Sequence, residues 1–145
     1  MRLSSLADYA VVMMAAAARH CGAARPNAAA LAAETGVPVA TAQKLVSRLA
    51  GAGLIESARG AGGGFRLARP AAAISLADIV EAVEGPIALT TCVDPDRHDC
   101  ALDGHCAVRP HWGVVNEAIR GALAQVSLAQ LSVAPAQPAR QQVLA

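Results

Sequence analysis

Residues 39–69, VATAQKLVSRLAGAGLIESARGAGGGFRLAR, hold the pattern on which the fold turns. Pro38 precedes them and opens a helix running to about Ala52, with Gly53 as its stop. Val39, Ala42, Leu45, Val46 and Leu49 recur at helical spacing and define an inner face. Thr41, Gln43, Lys44, Ser47 and Arg48 make the opposite face polar. Two short strand-like runs follow, 54–59 and 65–68, separated by the GAGGG of residues 60–64. A polar-faced helix and then a glycine-tipped hairpin is the order of a recognition helix and its wing. The glycine tip is not a phosphate loop, because it lacks a Gly-Lys-Ser/Thr ending and leads into a strand.

Working outward, Asn27 caps a short helix over 28–35 that Gly36 ends, completing a helix-turn-helix. Ser5 is expected to cap an earlier helix over 6–19, with Asp8 completing a Ser-x-x-Asp signal. That helix is apolar on nearly every side and should be buried, within one subunit or between two. Its apolar run resembles a secretory leader only faintly. Asp8 interrupts it, and no stretch reaches the roughly 20 apolar residues of a membrane span. The expectation is a cytoplasmic protein with reduced cysteines and no membrane partner.

The chain has 145 residues, a net charge of +1, 54% hydrophobic residues and 2% aromatic ones. No global field advertises a polyanionic partner, so any basic footprint must be local. It is local. Between Thr41 and Arg69 stand Lys44, Arg48, Arg59, Arg66 and Arg69 against Glu56 alone. Such an excess beside a polar-faced helix suits phosphate and base-edge contact with double-stranded DNA. Few large side chains are available to anchor a monomer, so a homodimer is expected.

Downstream, Ser75 and Asp78 form a second capping signal for a helix to about Val83, stopped by Gly85 and Pro86. Pro110 opens a long helix to about Val126, on which Trp112, Val115, Ile119, Ala122 and Val126 form a heptad-like stripe suited to dimer pairing. Ser127 caps a last short helix, and the proline- and glutamine-containing tail from Ala134 is expected to be disordered.

Between these helices lie Cys92, Cys100 and Cys106, spaced C-x7-C-x5-C. Asp94, Asp96, Asp99 and Asp103 surround them with Arg97 as the nearby counter-charge. An acidic loop raises thiol pKa and disfavours a bare nucleophile, whereas a bound cation reverses that effect. Thiolates are soft ligands, and three on one loop can converge on an iron–sulfur cluster. Zinc held by three cysteines and His98, His105 or His111 stays open, although the paired C-x2–4-C spacing of zinc sites is absent. A thiol enzyme using Cys100 or Cys106 is disfavoured by the acidic loop and by the lack of an oxyanion-hole motif. Cys21 stands apart and reads as a small, partly buried hydrophobe.

The opening MRLSSLADYAVVMM, the block VATAQKLVSRLAGAGLIESARGAGGGFRLARP, the ISLADIVEAVEG segment and the three-cysteine loop together resemble the Rrf-two (Rrf2) family of winged-helix regulators. The resemblance covers about residues 1–131, and CAVRPHWGVVNEAIRGALAQVSLAQL is most similar to the branch that regulates the SUF iron–sulfur assembly operon. It implies a homodimer with crossed long helices whose operator affinity follows an iron–sulfur cluster, 2Fe–2S in the favoured form and 4Fe–4S in the other. It also implies Cys92, Cys100 and Cys106 as ligands. IscR-like members take a fourth ligand from a histidine three residues after the last cysteine, where this chain has Arg109. Some NsrR-like members use an aspartate in the partner's first helix, the position of Asp8, with His105 or His111 as alternatives here. The long C-x7-C spacing is similar to the iron-responsive branch, which leaves iron, cluster status, oxidation or nitric oxide as the signal.

The expected fold is therefore mainly α: a winged helix-turn-helix domain with a two-stranded wing, plus a long dimerisation helix. Residues 1–85 form the DNA-binding domain, 86–107 the cluster loop, 108–133 the dimerisation and terminal helices, and 134–145 the tail. Thr41, Gln43, Lys44, Ser47 and Arg48 would meet the major groove and Arg59 the flanking minor groove. The expected activity is repression, with no catalysis and no small-molecule substrate.

Overall fold

A computed structural model describes residues 2–58 and 63–133. Its elements in chain order are α1 (Ser5–Arg19), α2 (Ala28–Thr35), α3 (Val39–Gly51), β1 (Ile55–Ala58), β2 (Gly64–Leu67), α4 (Leu76–Glu84), α5 (Arg109–Ala124) and α6 (Leu128–Ser132), with short 3-10 turns at Ala71–Ala73 and Thr91–Val93. The fold is mainly helical with a two-stranded antiparallel wing, as the residue pattern predicts.

The apolar first helix is the centre of the core. Ala7, Ala10, Met13, Met14, Ala15, Ala16 and Ala17 are buried, and α1 packs on α2, α3, α4 and α6. Small alanines let four helices approach one axis closely, while the two methionines fill the gaps between them. The cap is Ser4 rather than Ser5: its Oγ accepts from the Ala7 N–H at 3.1 Å. Asp8 therefore takes no part in a capping box.

In the helix-turn-helix, Asn27 Oδ1 caps α2 through the Ala30 N–H, and Gly36 ends it at φ +80°, a left-handed conformation that favours glycine. Ala42, Leu45 and Leu49 of α3 are buried as expected. Val39 is not. It is the first residue of the helix and is 49% exposed.

β1 and β2 pair with Glu56 opposite Arg66 and Ser57 opposite Phe65. Ile55 and Phe65 carry the wing's apolar side into the core. The wing is further pinned by the Phe65 N–H donating to the Pro26 carbonyl at 3.0 Å, which ties it to the segment entering α2.

Ser75 and Asp78 form the expected capping box on α4. Ser127 and Gln130 form another on α6. The two helix starts are bridged: Leu76 N–H donates to Val126 C=O at 2.8 Å, and Leu128 N–H to Ile74 C=O at 2.7 Å. This returns α6 to the body of the winged helix, where Leu128 is fully buried beside α1. The tail from 134 lies outside the described residues.

Candidate nucleic-acid interface and cysteine loop

On α3, Gln43, Lys44, Ser47 and Arg48 are exposed and Thr41 is half-buried. Ser47 Oγ donates back to the Gln43 carbonyl at 3.2 Å. Among the described residues the Gln43 and Lys44 side chains make no hydrogen bond or ion pair, so both are free to meet a groove. Arg48 is partly committed: its guanidinium donates to the Val83 carbonyl at the end of α4. That satisfies one of the last-turn carbonyls of α4, which lack helical partners. Arg59 lies outside the described residues.

The basic excess counted along the chain is weaker in three dimensions. Arg66 pairs with Glu56 across the wing at 2.9 Å, and Arg69 lies 3.7 Å from Asp78, an anion outside the counted window.

The α1–α2 connection carries a second polar knot. Glu34 accepts from His20 Nε2 at 2.7 Å and from Arg19 at 3.2 Å. The His20 contact, more than any other influence, holds the Glu34 carboxyl below its ordinary value. Cys21 beside it is exposed, not the half-buried hydrophobe expected from the sequence, because the chain has already left α1 there.

All four cysteines are free thiols, and Cys92, Cys100 and Cys106 are half-buried. Cys92 and Cys100 line one pocket of about 240 Å³ together with Thr91, Asp94, His98, Asp103 and Arg109. Cys106 and Asp8 are not part of its wall. Among the described residues no three His, Cys, Asp or Glu side chains already stand at metal-holding distance. Two of the three thiols thus face one pocket.

The third can follow. From Thr90 to Arg109 the loop's own hydrogen bonds are local: Val93 to Thr90, Arg97 to Asp94, Asp103 to Cys100, His105 to Leu102 and Arg109 to Cys106. No long-range ladder would break if this segment closed on a central ion. The donors are soft sulfurs and the segment that carries them is adaptable. In those two respects the residues fit an iron–sulfur cluster.

Two arginines, not one, offset the acidic residues. Arg97 holds Asp99 at 3.1 Å and lowers its pKa, chiefly through that hydrogen bond. Arg109 contacts Asp103. Arg109, three residues after the last cysteine, is thus engaged in an ion pair with a residue of the same loop.

The residues that seat this loop escaped sequence reasoning. Asn116 is the buried residue of α5, with Oδ1 accepting from Leu89 N–H at 3.0 Å and Nδ2 donating to Ile87 C=O at 2.9 Å. Arg120 grips Glu81 of α4 through two bonds of 2.8 and 3.0 Å. A signal existed for Asn116. It falls four residues after Trp112 and three before Ile119, an inner position where a polar residue needs a reason.

The apolar stripe of α5 is largely uncovered. Val115 is 41% exposed, its neighbour Val114 is 72% exposed, and Trp112 and Ile119 are half-buried. No helix among the described residues is long and apolar enough to cross a membrane.

A helix-turn-helix with a wing, a polar recognition face and a thiol-bearing loop defines a DNA-binding transcription regulator of the winged-helix class. The chain belongs to the Rrf2 family, described as iron-dependent transcriptional regulators, whose pattern it matches over residues 3–134. It is 32% identical over 131 residues to the HTH-type transcriptional regulator IscR of Photorhabdus laumondii, covering 90% of this chain and 79% of that protein. Its fold is similar to IscR of T. potens, with a TM-score of 0.67, 27% identity, and coverage of 90% and 85% of the two chains. It is also similar to CymR, the global cysteine regulator of B. subtilis, with a TM-score of 0.70, 26% identity, and coverage of 91% and 96%. The family is one of regulators, not enzymes.

Proposed function

We propose that this IscR-like regulator senses an iron–sulfur cluster and represses iron–sulfur assembly genes, binding operator DNA as a cytoplasmic homodimer. The observation that carries the reading is the shared pocket of Cys92 and Cys100 on a segment whose backbone bonds beyond Leu89 are local, with Cys106 at the foot of α5. When bound, the cluster supplies a centre that oxidants, nitric oxide or iron shortage can alter.

The chain's own residues do the rest. Cys92, Cys100 and Cys106 would hold the centre, 2Fe–2S in the favoured form and 4Fe–4S otherwise. Asp8 is the favoured fourth ligand: it is exposed on the first turn of α1 and, among the described residues, has no side-chain partner. His105 and His111 are the alternatives. The uncovered stripe of α5 supports pairing with a second copy. Loop closure between α5 and the partner's α1 would set the spacing of the two α3 helices, and a dimer reads half-sites only at a fixed separation. Gln43, Lys44, Thr41, Ser47 and Arg48 face the major groove in this reading, with Arg59 at the wing.

The test is operator affinity of cluster-loaded and cluster-free protein at one salt concentration. A clear difference is expected. Equal affinities overturn the switch while leaving DNA binding intact.

One observation favours a second reading. His98 lines the same pocket as Cys92 and Cys100, a donor set that also suits zinc. Anaerobic purification separates the two. Visible absorption with two or four irons and matching sulfide per subunit supports the cluster, and colourless protein with stoichiometric zinc supports the alternative.

A further inference from the structure

The buried amide of Asn116 meets an N–H and a C=O that are two residues apart, at Leu89 and Ile87. It holds that backbone as a neighbouring strand would, using both its donor and its acceptor. Leu89 stands three residues before Cys92, so the clamp sits on the stem of the cysteine loop.

The stem is held from a second side. Ile87 N–H also points to Glu81 Oε1 at 3.5 Å, on the same carboxylate that Arg120 grips twice. Loop stem, α4 and α5 therefore meet in one polar knot. Two residues beyond Glu81, the Val83 carbonyl accepts from Arg48 of the recognition helix. Polar contacts on either side of α4, joined by the helix backbone between Glu81 and Val83, thus connect the stem of the cysteine loop to α3 inside a single subunit.

We propose that this knot couples the cysteine loop to the recognition helix within each subunit, with Asn116 as its positioning residue. It rests on the cluster-sensing reading and adds a route to it: the loop's state reaches α3 through α4, in addition to any change across the dimer. The physical logic is that the stem is bonded at once to Asn116 of α5 and to Glu81 of α4. A shift of the stem must either carry α5 with it, and α4 through the Arg120–Glu81 pair, or leave Ile87 C=O and Leu89 N–H without their Asn116 partner, a cost wherever water cannot replace it. A contiguous path becomes coupling only when both ends bias it, and that is measurable.

The experiment uses the full chain, anaerobically loaded and chelator-stripped, as wild type, Asn116→Ala and Glu81→Gln. Glu81→Gln leaves the buried amide in place, so it tests the path even where Asn116→Ala folds poorly. Three quantities are read: iron and sulfide content, operator affinity of each form at one salt concentration, and hydrogen exchange of the Leu89 amide in the stripped protein. The expected result is wild-type metal content in both variants, faster Leu89 exchange in Asn116→Ala, and a loaded-to-stripped affinity ratio that falls to about one. A wild-type ratio retained in either variant overturns the coupling role alone. A ratio of one in the wild type itself overturns the cluster-sensing reading, and the coupling with it.

Discussion

Gly64 of β2 lies against the carbonyl of Arg25 so closely that a Cβ there would stand 2.6 Å from that oxygen and 2.7 Å from the oxygen of Pro26. Both neighbours are backbone atoms of a segment that the wing itself hydrogen-bonds through Phe65, so neither can yield cheaply. The demand for glycine here is one of space, not of backbone conformation. With the Phe65 hydrogen bond, this close approach holds a two-stranded hairpin, marginal alone, against the segment that enters α2.

Gly64→Ala is therefore expected to destabilise the protein by about 1–3 kcal/mol, the usual cost of forcing atoms into a filled space. It should also weaken operator binding by displacing the wing. Urea unfolding and a binding isotherm measure the two effects. Unchanged stability would show that the 25–26 segment can move aside.

The cysteines separate into two groups. Single Cys→Ser changes at Cys92, Cys100 or Cys106 are expected to reduce bound iron and sulfide sharply, whereas Cys21→Ser should leave both at wild-type levels. Metal and sulfide analysis of anaerobically prepared protein gives the comparison. Full metal content in the Cys106 variant would confine the site to Cys92, Cys100 and a ligand such as His98, the residues that already share a pocket.

On the recognition helix, Gln43 and Lys44 have unengaged side chains but different chemistry. Gln43→Ala should cost about 1–3 kcal/mol in discrimination between operator and altered sequence. Lys44→Ala should weaken binding to all sequences alike and lower the salt slope by about one. Titrations at two salt concentrations against matched and mismatched duplexes distinguish these outcomes. A sequence-dependent loss in the lysine variant would reassign it as a base reader.

Glu34 should leave a trace at acid pH. Its folded pKa is depressed below the ordinary 4.5, chiefly by the His20 hydrogen bond and with help from Arg19. A depressed carboxylate stabilises the fold fully above its unfolded pKa, and that contribution is lost as pH falls through the lower folded value. The carboxyl is partly exposed, so the effect on stability is small. Its midpoint in a carboxyl NMR titration should rise towards 4.5 in His20→Ala. An unmoved midpoint would remove the α1–α2 knot from any pH argument.

Much of this molecule is local and was legible as such. Asn27 with Gly36, Ser75 with Asp78, and Ser127 with Gln130 each set a helix boundary using atoms within a few residues, so short motifs predict them. The cap of α1 slipped by one residue because Ser4 and Ser5 are both competent and only the folded backbone selects between them. The inner face of α3 follows from its period, and the wing from the glycines between two apolar runs. The three clustered cysteines suggest soft-metal chemistry by their element and number, and that reading remains the proposal to be tested.

Sequence alone determined which elements form and which chemistries are on offer, because capping, periodicity and thiol softness act over a few residues. Tertiary structure decided the assignments. Arg48 is shared with the end of α4, Asp78 and Glu56 take two of the wing's cations, Cys92 and Cys100 line one pocket whose wall does not include Cys106, and Asn116 seats the loop. Each depends on groups brought together from distant parts of the chain or on the path of a loop without regular structure. No periodicity encodes either, and only the packing of α4 on α1 and of α5 on α4 resolves them.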